Sequence, residues 1–455
     1  MSINVDLAII GAGPGGYVAA ERAGKKGLKV VLIEKGELGG VCLNEGCIPT
    51  KALLYAAKLY DHAIEGGKYG IDAKEVSFDF VKMMARKQKV VKKLVSGVST
   101  AMKENHVQVI KNNGYIKGRS ASGIAITAGE EEIIATNLLI CTGSEALIPP
   151  IPGLGTPGGV ILTNREILEL NQRPESLVVI GGGVVGMEFA SIFNSLETKV
   201  TIVEMLDEIL TGMEREMSGM LRQIYTKKGI IFHLSSKVTE VKGNEVIFEK
   251  DGKTVSVSGE KILVSVGRKP VITGFGLENL GVELYRGGIK VDEKMRTNVP
   301  NVFAAGDVTG FSLLAHTASR EGEVVVNNLT GRNDRMRYNA IPGVVYTNPE
   351  FSGVGLTEES AKENKIEYRV VKLPMTYAGR FMIENEGING LCKVLVGAKY
   401  NEVLGVHMLG NPSSEMMYGA SMSIEMEMTL KEMEEVVFPH PTVSEIFKES
   451  VFAFK

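Results

Sequence analysis

No uninterrupted apolar run in the sequence reaches the roughly 18 residues that a bilayer demands, and the N-terminal VDLAII reads as a strand without a signal-peptide pattern. A membrane partner is therefore not expected, and the expected site of action is cytoplasmic. Long Lys/Arg blocks are also missing. With 51 basic against 54 acidic residues the net charge is −3, so electrostatic attraction to nucleic acid is excluded and a small-molecule partner is expected. Cysteine is scarce, at 4 residues. Charged residues at 23% and hydrophobic residues at 44% exclude a disordered, collagen-like or coiled-coil chain. The 455 residues are about three times a typical 150-residue domain, which predicts two to four domains with separate cores. Glycine is abundant, at 53 residues, so many backbone segments must pass close to something.

Those glycines are ordered. Laying residues 5–35 over 175–205 superposes Gly11, Gly13, Gly16 and Glu34 on Gly181, Gly183, Gly186 and Glu204 at a constant offset, and each copy reads strand, tight turn, helix, strand. That is a βαβ unit occurring twice. Each copy is followed later by an apolar strand that ends in a glycine turn, at Gly143 and at Gly267. Proline-rich ALIPPIPG and VGRKP mark the exits from the two units. TNVPNVFAAGDVTG then reads as a return of the chain to the first domain, and the region after Pro342 has no fingerprint of its own. The predicted fold class is α/β: two Rossmann-like dinucleotide-binding domains plus a C-terminal α+β interface domain. The predicted boundaries are 1–147, 148–270, a return over 271–342, and 343–455.

In such a fingerprint the first glycine makes the turn, the second admits a pyrophosphate, and the third lets helix and strand pack. An acidic residue closing the second strand accepts hydrogen bonds from adenosine ribose hydroxyls, the role predicted for Glu34 and Glu204. Two dinucleotide sites in one chain imply electron transfer between cofactors. Directly after the first fingerprint comes GGVCLNEGCIPTK, which holds Cys42 and Cys47. Zinc would need two further ligands, yet Cys141 and Cys392 lie in apolar strands with no paired histidine, so no metal is expected. A redox pair fits better. Pro49 and the following ALLYAA run place Cys47 just ahead of a helix, whose N-terminal partial charge stabilises a thiolate.

With these motifs the chain resembles the flavin-dependent pyridine nucleotide disulfide oxidoreductases, and in particular their lipoamide-oxidising branch. The resemblance rests on both fingerprints, the Cys-Leu-Asn-x-Gly-Cys-Ile-Pro-x-Lys segment, Ala305-Gly306-Asp307, Leu314-Ala315-His316 and His440-Pro441-Thr442-Val443-Ser444-Glu445. It implies FAD on Gly11, Gly13, Gly16, Glu34, Gly143 and Asp307, with the helix opening at Ala315 aimed at the flavin and Lys51 on the flavin side. It implies NAD on Gly181, Gly183, Gly186, Glu188, Glu204 and Gly267, with Glu188 as the partner of Lys51. Cys47 would be the flavin-proximal thiol, Cys42 the interchange thiol, His440 the general acid/base and Glu445 the group that orients it. The implied partners are a second copy of the chain and a lipoylated carrier domain of a 2-oxo-acid dehydrogenase complex or glycine-cleavage system.

Two positions depart from the family pattern. Thr50 stands where serine is commoner, keeping a hydroxyl, and Val437-Phe438-Pro439 stands where a histidine followed by alanine is usual, which bears on the polarity of the substrate channel mouth. Met205-Leu206-Asp207-Glu208 after Glu204 offers no base for a 2′-phosphate, so NAD is favoured over NADP. The rival readings are a reductase of glutathione, mercuric ion or CoA-disulfide, and a flavin-containing binding protein without turnover. Cys42-Leu43-Asn44 differs from the usual glutathione-reductase Cys-Val-Asn, and the tail SVFAFK has no cysteine.

Overall fold

The structure is a computed structural model that describes residues 2–454. By its internal contacts the chain forms two units: residues 1–52, 82–147 and 267–337, and residues 53–81, 148–266 and 338–455.

In the first unit five parallel strands run in the order Gln108–Lys111, Val30–Glu34, Ile3–Ile10, Glu131–Ile140 and Val302–Ala304. The N-terminal half of Glu131–Ile140 also carries an antiparallel ribbon, Gly123–Ala128 and Gly114–Ser120. Val30–Glu34 and Ile3–Ile10 are nearly continuous apolar runs, as expected for parallel strands covered on both faces. Their buried Val, Ile and Leu side chains join Phe275, Leu277 and Val308 in one core, each contributing about 1.5–3 kcal/mol by leaving water.

The second unit repeats the plan. Its parallel sheet has the order Ile231–His233, Lys199–Val203, Ser176–Ile180, Lys261–Val264 and Ile161–Leu162. A three-stranded antiparallel meander spans Lys237–Lys242, Glu245–Lys250 and Lys253–Ser258. The same unit holds a five-stranded antiparallel sheet made of Gly343–Val345, Phe351–Gly355, Val403–Leu409, Leu391–Gly397 and Tyr368–Pro374. The helices Ser413–Glu425 and Glu445–Phe452 contribute Met417, Ala420, Ile424, Ile446 and Val451 to its core. No helix among the described residues is long and apolar enough to cross a membrane.

Candidate active site

Both glycine fingerprints fold into the same cradle at the carboxyl ends of parallel strands, where open α/β sheets bind ligands. Gly11 and Gly181 adopt φ of +99° and +103°. A Cβ at either would come within 2.2 Å of the Cys141 carbonyl oxygen or 2.6 Å of that of Ser265. Gly16 and Gly186 press on the first turn, since an added Cβ would lie 1.9 Å from the Gly11 oxygen and 2.2 Å from the Gly181 oxygen. Gly13 and Gly183 behave oppositely: a Cβ there meets nothing within 4 Å. Each of these middle glycines precedes the first turn of a helix, Pro14–Lys25 or Val184–Ser195. Unpaired helix N–H groups beside open space fit a dinucleotide pyrophosphate.

Glu34 and Glu204 lock the two turns in the same way. The Ala12 N–H donates to Glu34 Oε2 (2.7 Å) and the Gly36 N–H to Oε1 (2.8 Å). Gly182 donates to Glu204 Oε2 (2.5 Å) and Leu206 to Oε1 (2.8 Å). A carboxylate has about four acceptor positions, so each glutamate keeps capacity for ribose hydroxyls.

Behind the first cradle the chain returns at Gly39, whose N–H donates to the Ala12 carbonyl (2.8 Å). Gly40 lies against Gly13, where a Cβ would fall 2.6 Å from the Gly13 Cα. This close approach sets the short helix Gly40–Glu45, with Cys42, beside the dinucleotide turn. Asn44 pins it by donating to the Leu38 and Gly40 carbonyls (3.0 and 2.9 Å). Cys47 is the first residue of the helix Cys47–Ile64, the position where the macrodipole favours a thiolate. Both sulfurs are thiols here. The Cys42 thiol is pushed upward because it shares a hydrogen bond with Cys47 and because it is buried, while the Lys51 ammonium pulls the other way. Cys42 therefore stays protonated beside Cys47. Tyr17, on the helix of the first cradle, is raised by burial and by both sulfurs, which puts the phenol in their electrostatic neighbourhood.

Asp307 begins a turn after the strand Val302–Ala304. Burial raises its carboxyl, opposed by Ser144 and Arg268. The Ser144 hydroxyl donates to Asp307 Oδ2 (2.5 Å), and Arg268 donates through Nε to the Ser144 hydroxyl (2.7 Å) and through a terminal nitrogen to the Ser144 carbonyl (2.8 Å). Ser144 and Arg268 directly follow the two glycines that end the later strands, Gly143 and Gly267. Those glycines have φ of +72° and +122°. The Gly267 carbonyl accepts from Leu147, which places it in the first unit's short ribbon Ser144–Ala146 with Arg268–Pro270. Ala315 opens the helix Ala315–Leu329, and buried Glu321 from that helix accepts from the Gly306 N–H (2.6 Å). Glu321 and Tyr17 were not among the residues expected from sequence.

In the second unit Glu188 is buried, and one carboxylate oxygen accepts from the Tyr346 N–H (3.1 Å). His440 stands 80% exposed, its Nδ1 within 3.0 and 3.2 Å of the two Glu445 oxygens. The Thr442 N–H also donates to Glu445 (2.9 Å), and together these bonds hold the carboxyl below its ordinary value. Such a pair fixes Nδ1 as the donor and leaves Nε2 to take up or deliver a proton. Three carboxylates close enough to suggest a metal, Glu214, Glu216 and Glu358, instead surround the Lys393 ammonium at 2.6, 2.7 and 2.8 Å.

Comparison with known proteins agrees with this geometry. The family of pyridine nucleotide-disulphide oxidoreductases matches residues 5–322, and the family's dimerisation domain matches residues 341–451. The chain belongs to the pyridine nucleotide-disulphide oxidoreductases. It is an oxidoreductase whose cofactors are FAD and NAD(H). It is 38% identical to the dihydrolipoyl dehydrogenase of Bacillus subtilis (strain 168), over 100% of this chain and 98% of that one. It is 38% identical to the mitochondrial dihydrolipoyl dehydrogenase of Homo sapiens, over 99% and 91%. Among solved structures, the HOCl-induced flavoprotein disulfide reductase RclA of Escherichia coli aligns with a TM-score of 0.86 at 28% identity, over 99% of this chain and 100% of that one. LpdA of Mycobacterium tuberculosis shares the fold, with a TM-score of 0.91 at 24% identity and full coverage of both chains.

Proposed function

We propose that this oxidoreductase oxidises dihydrolipoamide on a lipoylated carrier domain of a 2-oxo-acid dehydrogenase complex or glycine-cleavage system, with NAD as the final acceptor. The observation that carries the reading is the hydrogen-bonded Cys42–Cys47 pair at a helix N-terminus beside the first cradle. Residues 1–147 and 271–342 are assigned to FAD, 148–270 to NAD and 343–455 to the subunit interface. Gly11, Gly13, Gly16, Glu34, Gly143, Asp307 and Ala315 would hold FAD, with Lys51 on its thiol side. Gly181, Gly183, Gly186, Glu188, Glu204 and Gly267 would serve NAD.

In the oxidised enzyme Cys42 and Cys47 form a disulfide. His440 takes a proton from one substrate thiol, and the resulting thiolate attacks Cys42 sulfur, releasing Cys47 as a thiolate. The second substrate thiol gives up its proton and displaces Cys42, so that one disulfide forms in the substrate as the enzyme's own is reduced to a dithiol. The bound flavin carries the two electrons on to NAD as hydride. Lys51 and the helix N-terminus hold negative charge on Cys47, and the Cys42 thiol donates to it. Glu445 keeps the His440 tautomer fixed.

His440 would work in trans, in a homodimer. Tyr418, Met422 and Met426 form an exposed stripe at helical spacing on the matched dimerisation domain, suited to a second copy. Co-expression of Cys42→Ser and His440→Gln chains under two tags, followed by tandem purification, isolates the mixed dimer. One of its sites then carries both lesions and the other none, so about half the wild-type activity is expected. No activity would mean that each site is built within one chain. A cytoplasmic site of action belongs to the same reading, since this dithiol needs a reducing compartment.

A further inference from the structure

The loop behind Glu204 is acidic and apolar in sequence, yet the fold brings two guanidinium groups to it. Arg222 grips Glu208 bidentately, at 2.8 and 2.9 Å, and the Ile209 N–H adds a third bond to the same carboxylate (2.9 Å). Arg215 grips Asp207 in the same fork, at 3.1 and 2.9 Å. The two pairs differ in exposure. Arg222 and Glu208 are 29% and 11% exposed, whereas Arg215 and Asp207 are 51% and 69% exposed, on the loop that begins at the proposed ribose ligand. Arg222–Glu208 is thus a brace, and Arg215–Asp207 faces solvent. Arg215 is also the first residue of the helix Arg215–Lys227, where the macrodipole opposes a cation. Asp207 offsets that: the fork holds the Asp207 carboxyl below its ordinary value and raises the guanidinium.

We infer that Asp207 is a second determinant of the dinucleotide preference: by clasping Arg215 it withholds a guanidinium that would otherwise receive a 2′-phosphate. This rests on the reading that Glu204 binds the adenosine ribose. A 2′-phosphate carries about −1.5 to −2 charges and finds its best partner in a planar arginine fork. In the native loop it meets the Glu204 and Asp207 carboxylates and an arginine already neutralised. Glu208 cannot take the place of Asp207 as the clasp, because Arg222 occupies both its oxygens. Of the other charges near Arg215, only Glu359 then stands to compete for it.

The test compares the Glu204→Ser, Asp207→Ser, double, and double plus Arg215→Gln variants. Asp207→Asn serves in the same arm should the serine variant be unstable. Calorimetric Kd values for ADP-ribose and 2′-phospho-ADP-ribose are read beside kcat/KM for NADH and NADPH. Glu204→Ser should weaken ADP-ribose binding. Adding Asp207→Ser should tighten 2′-phospho-ADP-ribose about tenfold beyond Glu204→Ser alone, the scale of one charge-assisted fork. Adding Arg215→Gln should return the Kd to the Glu204→Ser level, and high salt should erode the gain. A double variant no tighter than Glu204→Ser, or a gain that survives Arg215→Gln, overturns the inference. ADP-ribose binding unmoved by Glu204→Ser overturns instead the ribose assignment on which the inference rests.

Discussion

At Glu34 and at Glu204 the same two backbone amides are captured, and in both copies the chain then folds back onto the carbonyl of the fingerprint's second residue. Gly39 donates to Ala12 at 2.8 Å, and Leu210 donates to Gly182 at 3.0 Å. What lies between differs. After Glu34 a glycine pair lets a thiol-bearing helix press against Gly13, whereas after Glu204 two acid–arginine forks shape the loop. The first helix also begins with Pro14, which lacks an N–H, where the second has exposed Val184. The duplicated part is the phosphate cradle, and the chemistry is carried by the residues between the acidic strand end and the return.

The largest effects should come from the thiol side. Cys47→Ser is expected to abolish turnover and the long-wavelength thiolate-to-flavin absorption of the two-electron-reduced protein; an unchanged band would remove Cys47 from its role. His440→Gln should lower kcat by about 10²–10⁴-fold, with the band retained, because the histidine moves a proton and does not hold the charge on Cys47. Stopped-flow reduction by dihydrolipoamide measures both.

The second unit can be broken away from the chemistry. Lys393 is 1% exposed and is bonded to Glu214 and Glu358. Lys393→Met leaves buried carboxylates without their cation and should cost about 3–5 kcal/mol, read as a fall in Tm with the dithiol band intact once folded. A smaller effect is the pH response of the same cluster. Burial pushes the Glu358 carboxyl up, but Lys393 and Lys372 outweigh it and bring it down to about 2. A depressed carboxyl stabilises the fold fully above the unfolded value of about 4.3 and loses that contribution as pH falls toward 2. Chemical-denaturation midpoints should drop across that window in the wild type and flatten in Glu358→Gln.

Much of this was legible in the sequence because it is local. The glycine spacing, the acidic strand ends and the placing of Cys47 at the head of a helix all lie within runs of about thirty residues, where backbone geometry dictates residue type. The His440–Glu445 pair spans five positions and could be read through family resemblance. The remainder depends on residues far apart in the chain. Ser144 meets Asp307 across 163 positions and Arg268 across 124, and Lys393 meets Glu214 across 179. Lys393 sits in LCKVLVG, which reads as a buried strand, and nothing in that run names its partners. The absence of a base behind Glu204 was a true reading of four residues, but the helix that follows folds Arg215 and Arg222 back onto them.

The central claim, one cradle design holding two different dinucleotides, is tested most directly by paired alanines at the open middle glycines. A methyl at Gly13 or Gly183 meets no protein atom within 4 Å, so it projects only into the space assigned to a pyrophosphate. Gly13→Ala should yield folded protein with weakened flavin retention. Gly183→Ala should stay yellow, be reduced by dihydrolipoamide at the wild-type rate, and be reoxidised by NAD only slowly. Reoxidation of Gly183→Ala at the wild-type rate and NAD concentration dependence, with flavin lost instead, would contradict the assignment of the two cradles.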